Sequence, residues 1–250
     1  MPLKIAIIGA GPAGCCLARI LHVKNPSVHT TIFESEGALN FRSQGGTLDL
    51  HAKSGQAALR EAGLWDEFLK FARYDGEALQ IADKNYLCYI KLAGSMAASA
   101  TSSNRPEIDR PALREMLYRS LPEGVVQWHK KLAEVKREDD ELSLHFADGT
   151  VQHGYDLIVG ADGAFSKTRN LISDVKPFYS GIAGHQMSIS DAQKRKPELY
   201  EACKRGSIFS FGDSKGVFAQ YMGDGSLSIA TWSVHPVSYT HLTLPTKRIV

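Results

Sequence analysis

The sequence has few cysteines, and their spacing does not suit the usual cysteine chemistry. Among 250 residues there are four, of which Cys15 and Cys16 are adjacent while Cys88 and Cys203 stand alone. No pair has the C-x-x-C spacing of a zinc or redox site, and adjacent cysteines do not suit a disulfide framework. We therefore expect a reducing, cytoplasmic compartment. The nine histidines form no H-E-x-x-H pattern, so no metal site is expected.

Long apolar runs and a strong excess of one charge are also lacking. No segment offers the ~20 largely apolar residues that a membrane-spanning helix needs. Lys and Arg number 29 and Asp and Glu 27, which gives a formal charge of +2. Such a balance does not favour a nucleic-acid or membrane partner. A hydrophobic content of 43% and a charged content of 22% are typical of a globular protein with its own core.

The first 33 residues show a strand, turn, helix, strand pattern. Residues 3–8 form a short apolar run, typical of a strand buried on both faces of a parallel sheet. Leu17, Ile20 and Leu21 then follow at helical spacing, and residues 28–33 are a second β-rich run. Together these segments predict one βαβ unit.

The turn between the first strand and the helix reads GAGPAG, which fits the dinucleotide-binding fingerprint G-x-G-x-x-G. Its first glycine permits a tight turn, the second lets the backbone approach a pyrophosphate, and the third lets helix and strand pack closely. An acid, Glu34, ends the second strand, where it can bind ribose hydroxyls and repel a 2′-phosphate. FAD and NAD share this pattern. The predicted cofactor-binding residues here are Gly9, Gly11, Pro12, Ala13, Gly14 and Glu34.

A second acid follows a second apolar strand. Residues 155–160 read YDLIVG, and Asp162-Gly163 comes directly after them, so the carboxylate can reach a ligand at the carboxyl end of the sheet. An ordinary Asp-Gly turn is the alternative. No second G-x-G-x-x-G occurs, so no dedicated nicotinamide domain is predicted.

Further along the chain we predict a helix over residues 56–70, a loop over 92–104 and a helix from Asp109 that ends at Pro122. Alternation predicts strands over 132–136 and 142–146, and short strands dominate after residue 178. The run Lys194 to Lys196 is interpreted as a solvated turn. Residues 212–216 fit G-x-S-x-G, but a strand pattern follows them, which favours a hairpin turn over a nucleophile elbow.

Taken together, GAGPAG, the strand-end Glu34 and GADGAFSKTR resemble the single-component aromatic hydroxylases of the para-hydroxybenzoate hydroxylase type. Within that superfamily, FRSQGGTLDLHAKSGQAALREAGL and NRPEIDRPALREML are similar to the tetracycline-inactivating flavin monooxygenases. The resemblance runs from about residue 4 to about residue 236. It implies an α/β fold, with a Rossmann-like FAD-binding domain and a second, mostly antiparallel β-sheet substrate lobe.

The resemblance also implies roles for residues that the chemistry alone leaves open. Arg42 would serve the NADPH side of the flavin, and Asp49, Arg110 and Asp162 would bind FAD. Gln186 and Phe218 would face the substrate. Taken by themselves, Asp49 and Arg110 are interpreted as a turn acid and a solvated helix-start charge. A polar residue on a strand face and a core aromatic describe Gln186 and Phe218 equally well.

The implied domains are an FAD-binding domain over residues 1–175, with an inserted β-rich segment at about 75–106, and a partial substrate lobe over 176–236. The family carries a later segment like GDAAH, which is absent from this sequence. Residues 237–250 do not resemble the family and are interpreted as a non-native tail. The fold is therefore expected to be incomplete.

The implied activity is FAD-dependent monooxygenation. NADPH and O2 would be consumed and a small aromatic or polyketide-like molecule hydroxylated by a monomer, with no nucleophilic or metal-bound catalytic residue in the protein. Two alternatives remain open from the residues: a catalytically inactive FAD-binding fragment, and another FAD- or NAD-dependent oxidoreductase with a Rossmann fold.

Overall fold

The computed structural model describes residues 2–41, 45–93, 105–139, 141–203 and 205–238. Arg42 and most of the predicted loop and tail, residues 94–104 and 239–250, lie outside these ranges. The chain divides into two compact units. The first comprises the described residues of segments 1–44, 52–71 and 110–177, and the second those of 45–51, 72–109 and 178–250.

The elements follow one another along the described chain. The strands are β1 (Lys4–Ile8), β2 (His29–Phe33), β3 (Thr47–Asp49), β4 (Leu79–Asp83), β5 (Cys88–Leu92), β6 (Glu107–Asp109), β7 (Val126–Gln127), β8 (Leu132–Glu138), β9 (Glu141–Phe146), β10 (Val151–Gln152), β11 (Leu157–Gly160), β12 (Ile182–Ile189), β13 (Ser207–Gly212), β14 (Lys215–Tyr221) and β15 (Leu227–Val234). The α-helices are α1 (Pro12–Lys24), α2 (Ala57–Glu61), α3 (Trp65–Leu69), α4 (Arg110–Arg119), α5 (Ala192–Arg195) and α6 (Pro197–Cys203). Short turns of other helix types lie at Ala52–Gln56, Asp75–Glu77 and Thr168–Leu171.

A parallel sheet forms the centre of the first unit, with the strand order β11-β1-β2-β7. The predicted βαβ unit is confirmed, since α1 connects the parallel strands β1 and β2. Along β1, Ala6 and Ile7 are completely buried, which explains the apolar run in the sequence. The sheet places the carboxyl ends of β1, β2 and β11 at one edge, because these strands are parallel neighbours.

The two faces of this sheet are covered by different elements. On one face, a methyl group of Ile7 faces Gly14 of helix α1. On the other face, Ala6 and Ile8 pack against the antiparallel meander β8-β9-β10. The ring centroids of Phe33 in β2 and Phe146 in β9 are 4.9 Å apart, where the sheet packs on the meander. The strands predicted over residues 132–136 and 142–146 are therefore confirmed, and the meander contributes Leu132, Val135, Leu144 and Phe146 to this core cluster.

The prediction of one helix over residues 56–70 was wrong, because α2 and α3 are separated at Gly63. Gly63 has a positive φ of 68°, and its N–H donates to the carbonyl of Arg60 while the N–H of Leu64 donates to that of Leu59. This is a Schellman ending, in which the glycine adopts the left-handed conformation that other residues avoid. The glycine was available in the sequence as a helix-stop signal.

The second unit contains a six-stranded sheet with the order β12-β15-β14-β13-β4-β5. Its pairs are antiparallel except β13 with β4, so the expected second, mostly antiparallel sheet is confirmed. Strands β4 and β5, from the segment predicted as an insertion, are members of this sheet, and the short ribbon β3-β6 lies in the same unit.

Two short helices, α5 and α6, cover one face of the six-stranded sheet. The buried residues Ala192 and Cys203 pack against Leu227 and other apolar side chains of that face. The solvated turn predicted at Lys194 to Lys196 was wrong, since Lys194 and Arg195 belong to α5. The charged run points to solvent as expected, but one buried alanine anchors it as a helix. Among the described helices, none is long and apolar enough to cross a membrane.

Candidate cofactor site

A crevice of about 500 Å³ lies where β1, β2 and β11 end in the first unit. Backbone hydrogen bonds continue past the strands here: the N–H of Gly9 donates to the carbonyl of Phe33 at 2.8 Å, and that of Ala161 to the carbonyl of Ile8 at 2.8 Å. The glycine turn, the acid after β2 and the Asp-Gly after β11 therefore share one wall. Ligands of open parallel sheets bind at such carboxyl-end crevices.

The three glycines of the turn have distinct surroundings. Gly9 has a φ of +105°, and an added Cβ would lie 2.5 Å from the carbonyl oxygen of Ala161. A Cβ on Gly14 would lie 2.0 Å from the carbonyl oxygen of Gly9. A Cβ on Gly11, in contrast, would meet no described atom within 4 Å, and Gly11 lines the crevice. Gly9 and Gly14 are thus needed for packing, and Gly11 leaves open space beside its backbone for a ligand.

The start of α1 completes this wall. Gly11 is the N-cap residue, with φ −75° and ψ 177°, and Pro12 follows at the first helical position, where no N–H is needed. Ala13 and Gly14 lie in the first turn, where backbone N–H groups have no partner within the helix. A helix of 13 residues carries ~+0.5 charge at this end, which favours a phosphate.

The Glu34 carboxylate is buried and fixed beside the turn. Its Oε2 accepts the N–H of Ala10 at 2.7 Å, and its Oε1 accepts the N–H of Glu36 at 2.9 Å and the hydroxyl of Ser35 at 2.9 Å. A carboxylate has about four lone-pair directions, so capacity remains for a ligand hydroxyl. The sequence-predicted acid therefore lies on the crevice wall with its orientation already set.

Asp162 organises the loop that follows β11. Its Oδ1 accepts the hydroxyls of Ser166 and Thr168 at 2.6 and 2.8 Å, and its Oδ2 accepts the N–H of Lys167 at 2.7 Å. Burial alone would raise the pKa of this carboxyl, but the hydrogen bonds from Ser166, Thr168 and the backbone outweigh burial and lower it. Asp162 lines the crevice, and the loop that it holds stabilises its ionised form.

Several charged residues on the wall were missed by the sequence analysis, and two of them form a buried ion pair. Arg114 of α4 and Glu36 are buried, and the Arg114 Nη1 donates to the Glu36 Oε2 at 2.8 Å. The only hint in the sequence is the pair of acids in FESE; an arginine in an amphipathic helix gives no sign that it is buried. Other residues on this wall are Ser35, Lys130, Lys131, Phe165 and Lys167.

The remaining predicted cofactor residues are in different places. Arg110 is the exposed first residue of α4 in the first unit. Asp49 is exposed at the end of β3 in the second unit, paired in register with Glu107 of β6. Arg42 lies outside the described residues.

Two acids of the motif EIDRPALR, Glu107 and Asp109, form a buried ion cluster with Arg73 in the second unit. The Nη2 of Arg73 donates to Glu107 at 3.1 Å, to Asp109 at 3.4 Å and to the carbonyl of Tyr221 at 3.1 Å. Burial raises the pKa of Glu107 to about 7, although the positive charge of Arg73 opposes the shift. The cluster joins β6 to the end of β14, so these motif residues have a structural role.

The predicted substrate residues, Gln186 and Phe218, point to the same face of the six-stranded sheet. Both are in register with Ala230 of β15, and residues paired across strands share a face. The Nε2 of Gln186 donates to the hydroxyl of Ser228 at 2.9 Å. This face is the one opposite the α5 and α6 helices, because Ile229 and Leu227 point the other way.

An aromatic cluster surrounds Phe218 on this face. Its ring centroid is 4.8 Å from that of Phe209, 5.4 Å from that of Phe211 and 6.1 Å from that of Trp232. A mainly apolar cavity of about 580 Å³ lies beside Phe218, Phe211 and Trp232. Its other walls come from Ile182 and the hairpin at residues 212–216, which confirms a β-hairpin at the G-x-S-x-G sequence.

A family model for the FAD binding domain matches residues 3–235. The chain belongs to this FAD-binding family. Among curated relatives, monooxygenase asqM of Emericella nidulans is 32% identical over 242 residues, which cover 90% of this chain and 53% of the relative. Monooxygenase penA of Penicillium thymicola is 31% identical over 230 residues, with 87% and 51% covered.

The salicylate hydroxylase of Pseudomonas putida, another member related to this chain, is 24% identical over 209 residues, with 78% of this chain and 45% of the relative covered. This FAD-binding chain thus spans about half the length of the curated relatives that it matches. Its homologues are monooxygenases, so the expected family of flavin-dependent aromatic hydroxylases is confirmed.

Solved structures support the fold assignment of this FAD-binding family member. The tetracycline destructase Tet(51) superposes with a TM-score of 0.65 at 17% identity, covering 99% of this chain and 60% of that chain. At this identity the likeness shows the fold alone. The expected para-hydroxybenzoate hydroxylase type of fold is therefore confirmed, with about half of the curated relatives and 60% of the Tet(51) chain represented.

Proposed function

We propose that this chain is the FAD-binding part of an NADPH-dependent monooxygenase that hydroxylates a small aromatic or polyketide-like molecule. One observation carries the proposal: Gly11 leaves open space beside its backbone, at the start of a helix and at the carboxyl ends of three parallel strands. A pyrophosphate needs this arrangement, because it accepts backbone N–H groups and is attracted to the positive end of the helix.

The first unit offers the groups that would hold the adenosine diphosphate half of FAD. Gly9, Gly11, Pro12, Ala13 and Gly14 would form the pyrophosphate cradle, and the Glu34 carboxylate would accept the ribose hydroxyls. Glu34 is also the reason to place NADPH elsewhere, since an acid at this position repels a 2′-phosphate.

Three further residues are proposed to take part in FAD binding. Arg110 would donate to flavin or phosphate oxygens, for which a fixed cation with several N–H groups is suited. Asp49 would accept cofactor hydroxyls. Asp162 would act through the loop that it holds, as its two oxygens already accept four hydrogen bonds from Ser166, Thr168 and Lys167. Arg42 is proposed to serve NADPH.

The cofactor supplies the redox and O2 chemistry when it is bound. The protein's own groups would bind and orient the cofactor and the substrate and would exclude water. No residue of the chain is assigned as a nucleophile. Three parts of the site are preorganised: the Glu34 carboxylate, the turn with its close contacts at Gly9 and Gly14, and the loop held by Asp162. Binding of a ligand therefore costs little further ordering of these groups.

For the substrate we propose the sheet face with Gln186 and Phe218. Phe209, Phe211 and Trp232 offer ring faces and edges to a planar aromatic molecule, and the Gln186 amide offers a polar contact. The names of the relatives support an aromatic substrate, among them salicylate hydroxylase. The motifs FRSQGGTLDL and EIDRPALR, which resemble those of the tetracycline-inactivating enzymes, support a larger, multi-ring one. The experiment must therefore include both classes.

The first test is flavin binding. The purified 250-residue chain should take up FAD in a 1:1 ratio and turn yellow, measured by flavin absorbance after removal of free cofactor. A colourless chain that binds NAD instead would contradict the flavin assignment and favour another Rossmann oxidoreductase.

The second test is turnover. A chain of the relatives' full length that carries residues 1–236 should oxidise NADPH faster when salicylate-like or tetracycline-like compounds are added, with O2 uptake and an oxygenated product. The 250-residue chain should show little of this activity, since it spans about half of the relatives' length. Strong product formation by the 250-residue chain would contradict that expectation. Stoichiometric flavin without turnover in either chain would favour the inactive FAD-binding protein.

A further inference from the structure

The side chain of Arg114 is a buried charge in the wall of the cofactor crevice. Only 3% of the residue is exposed, whereas Arg110 and Arg119, at the ends of the same helix, are exposed. Arginine is rarely buried to this degree without partners that offset the loss of hydration. Its position therefore requires an explanation beyond the packing of α4.

The guanidinium of Arg114 joins two segments of the wall, the glycine turn and the stretch that follows β2. Its Nε donates to the carbonyl of Ala10 at 3.0 Å, within the glycine turn. Its Nη1 donates to the Glu36 Oε2 at 2.8 Å, and its Nη2 is 3.7 Å from the Glu34 Oε2. A lysine could not make these contacts at once, because they use the spread and planar geometry of the guanidinium.

As a result, the peptide groups on either side of Ala10 are both held. The Ala10 N–H donates to Glu34 at 2.7 Å, and the Ala10 carbonyl accepts from Arg114. This residue lies between Gly9 and Gly11, so its peptide orientation decides how the backbone at Gly11 faces the open space of the crevice. Arg114 and Glu34 together fix that orientation.

Arg114 also balances two acids. Glu34 and Glu36 are both 7% exposed and both line the crevice. Like charges at partly desolvated sites repel one another and would repel an incoming diphosphate. One guanidinium reduces the formal charge of this group from −2 to −1 while leaving the Glu34 carboxylate able to accept a hydroxyl.

We propose that Arg114 is a positioning residue for the adenosine diphosphate half of the cofactor: it fixes the Ala10 peptide, aims Glu34 and neutralises Glu36. This inference rests on the proposed flavin function. It assigns to α4 a part in cofactor selection, acting through Ala10, Glu34 and Glu36 rather than by contact with the cofactor.

The test compares Arg114→Met, Arg114→Lys, Glu36→Gln and the double variant Arg114→Met/Glu36→Gln with the parent chain. FAD and ADP dissociation constants are measured by titration, and folding is checked by circular dichroism and thermal unfolding. Arg119→Met is the matched control, because Arg119 lies on the same helix, is exposed and pairs with Glu115.

We expect Arg114→Met to weaken FAD and ADP binding by the same factor, ~30-fold, since charge-assisted hydrogen bonds of this kind are removed on the ADP side only. Arg114→Lys should recover part of the loss because it restores the charge. The double variant should bind FAD at least ~10-fold more tightly than Arg114→Met, because the repulsion between the Glu36 charge and the diphosphate is then removed. A purely structural role would not produce this recovery.

Binding of FAD by folded Arg114→Met within threefold of the parent overturns the inference, as does a double variant no tighter than Arg114→Met. If Arg114→Met does not fold, Arg114→Lys decides: parent-like affinity in a folded Arg114→Lys overturns the inference. A parent chain that binds neither FAD nor ADP contradicts the proposed function itself, which separates the two failures.

Discussion

Gly14 lies directly against Gly9: a Cβ on Gly14 would stand 2.0 Å from the Gly9 carbonyl oxygen, whereas a Cβ on Gly11 would meet no described atom within 4 Å. Substitutions at these two glycines of one motif should therefore have different effects. Substitution of Gly14 should damage the fold, and substitution of Gly11 should damage only the binding of a ligand.

We predict that Gly11→Val keeps the parent fold and loses FAD binding. The φ of −75° and ψ of 177° at Gly11 are extended values that valine adopts readily, so the side chain would simply fill the space that a pyrophosphate needs. Bound flavin and the thermal midpoint are to be measured together. Gly14→Ala is the contrast and should unfold at a clearly lower temperature. Stoichiometric FAD bound to folded Gly11→Val would contradict the proposed role of the glycine turn in binding the pyrophosphate.

A second prediction concerns the first residue of α4. Because Arg110 is exposed, Arg110→Ala should change the free energy of unfolding by no more than ~0.5 kcal/mol. If Arg110 contacts the cofactor, the loss of a charge-assisted hydrogen bond should weaken FAD binding by ~10- to 100-fold. Arg119→Ala, at the other end of the helix, is the control. Equal flavin affinity in all three chains would make Arg110 an ordinary surface charge.

A third prediction follows from the lowered pKa of Asp162. A carboxyl whose folded-state pKa is below its ordinary value of 3.8 stabilises the fold above that value and loses this contribution as the pH falls through the folded-state pKa. Asp162→Asn should therefore be less stable than the parent at pH 7, by ~1 to 2 kcal/mol, because hydrogen bonds to a charged acceptor are weakened at a partly exposed site.

The difference between the two chains should shrink below about pH 4. Urea unfolding from pH 3 to pH 8 measures it, with Asp213→Asn as an exposed control, since Asp213 pairs only with the exposed Lys84 among the partners described. A stability difference that stays constant over this range would show that the loop does not depend on the charge of Asp162.

A fourth prediction concerns the reactivity of the cysteine thiols, which tests whether each side chain is buried in the folded chain. Burial raises the pKa of Cys15 to about 12 and that of Cys203 to about 11, while Cys88 is exposed in β5. Since the thiolate is the reactive form, iodoacetamide at pH 8 should modify Cys88 first and leave Cys15 and Cys203 unmodified in the folded chain. Peptide mass spectrometry gives the order. Early modification of Cys15 would contradict the packing of α1 on the sheet.

The parts of the site that could be predicted from the sequence are those fixed by neighbours in the chain. The glycine turn, Glu34 and the βαβ unit follow from short-range periodicity and from a motif whose residues lie close together. Arg114 could not be found in this way, because its partners Glu36 and Ala10 are 78 and 104 residues away. Nothing in the helix pattern distinguishes a buried arginine from a solvated one.

The same distinction applies to the fold. Strand positions in the second lobe follow from alternation, but the parallel pairing of β4 with β13 joins residues 79–83 to residues 207–211 and leaves no local trace. The helices α5 and α6 were missed because they are only four and seven residues long, too short for a helical period to appear.

The pairing of β1 with β11 has a consequence for how the protein is made. Ile5 at the start of the chain is aligned with Leu157, so this edge of β1 gains its partner only after more than 150 residues have been synthesised. At ~5 to 20 residues per second, the ribosome takes ~8 to 30 seconds to deliver β11. During this interval an apolar strand with an open edge is exposed to other nascent chains. Expression of this protein should therefore depend strongly on chaperones that bind the emerging β1 strand, and slow translation between β1 and β11 should reduce the yield of folded chain.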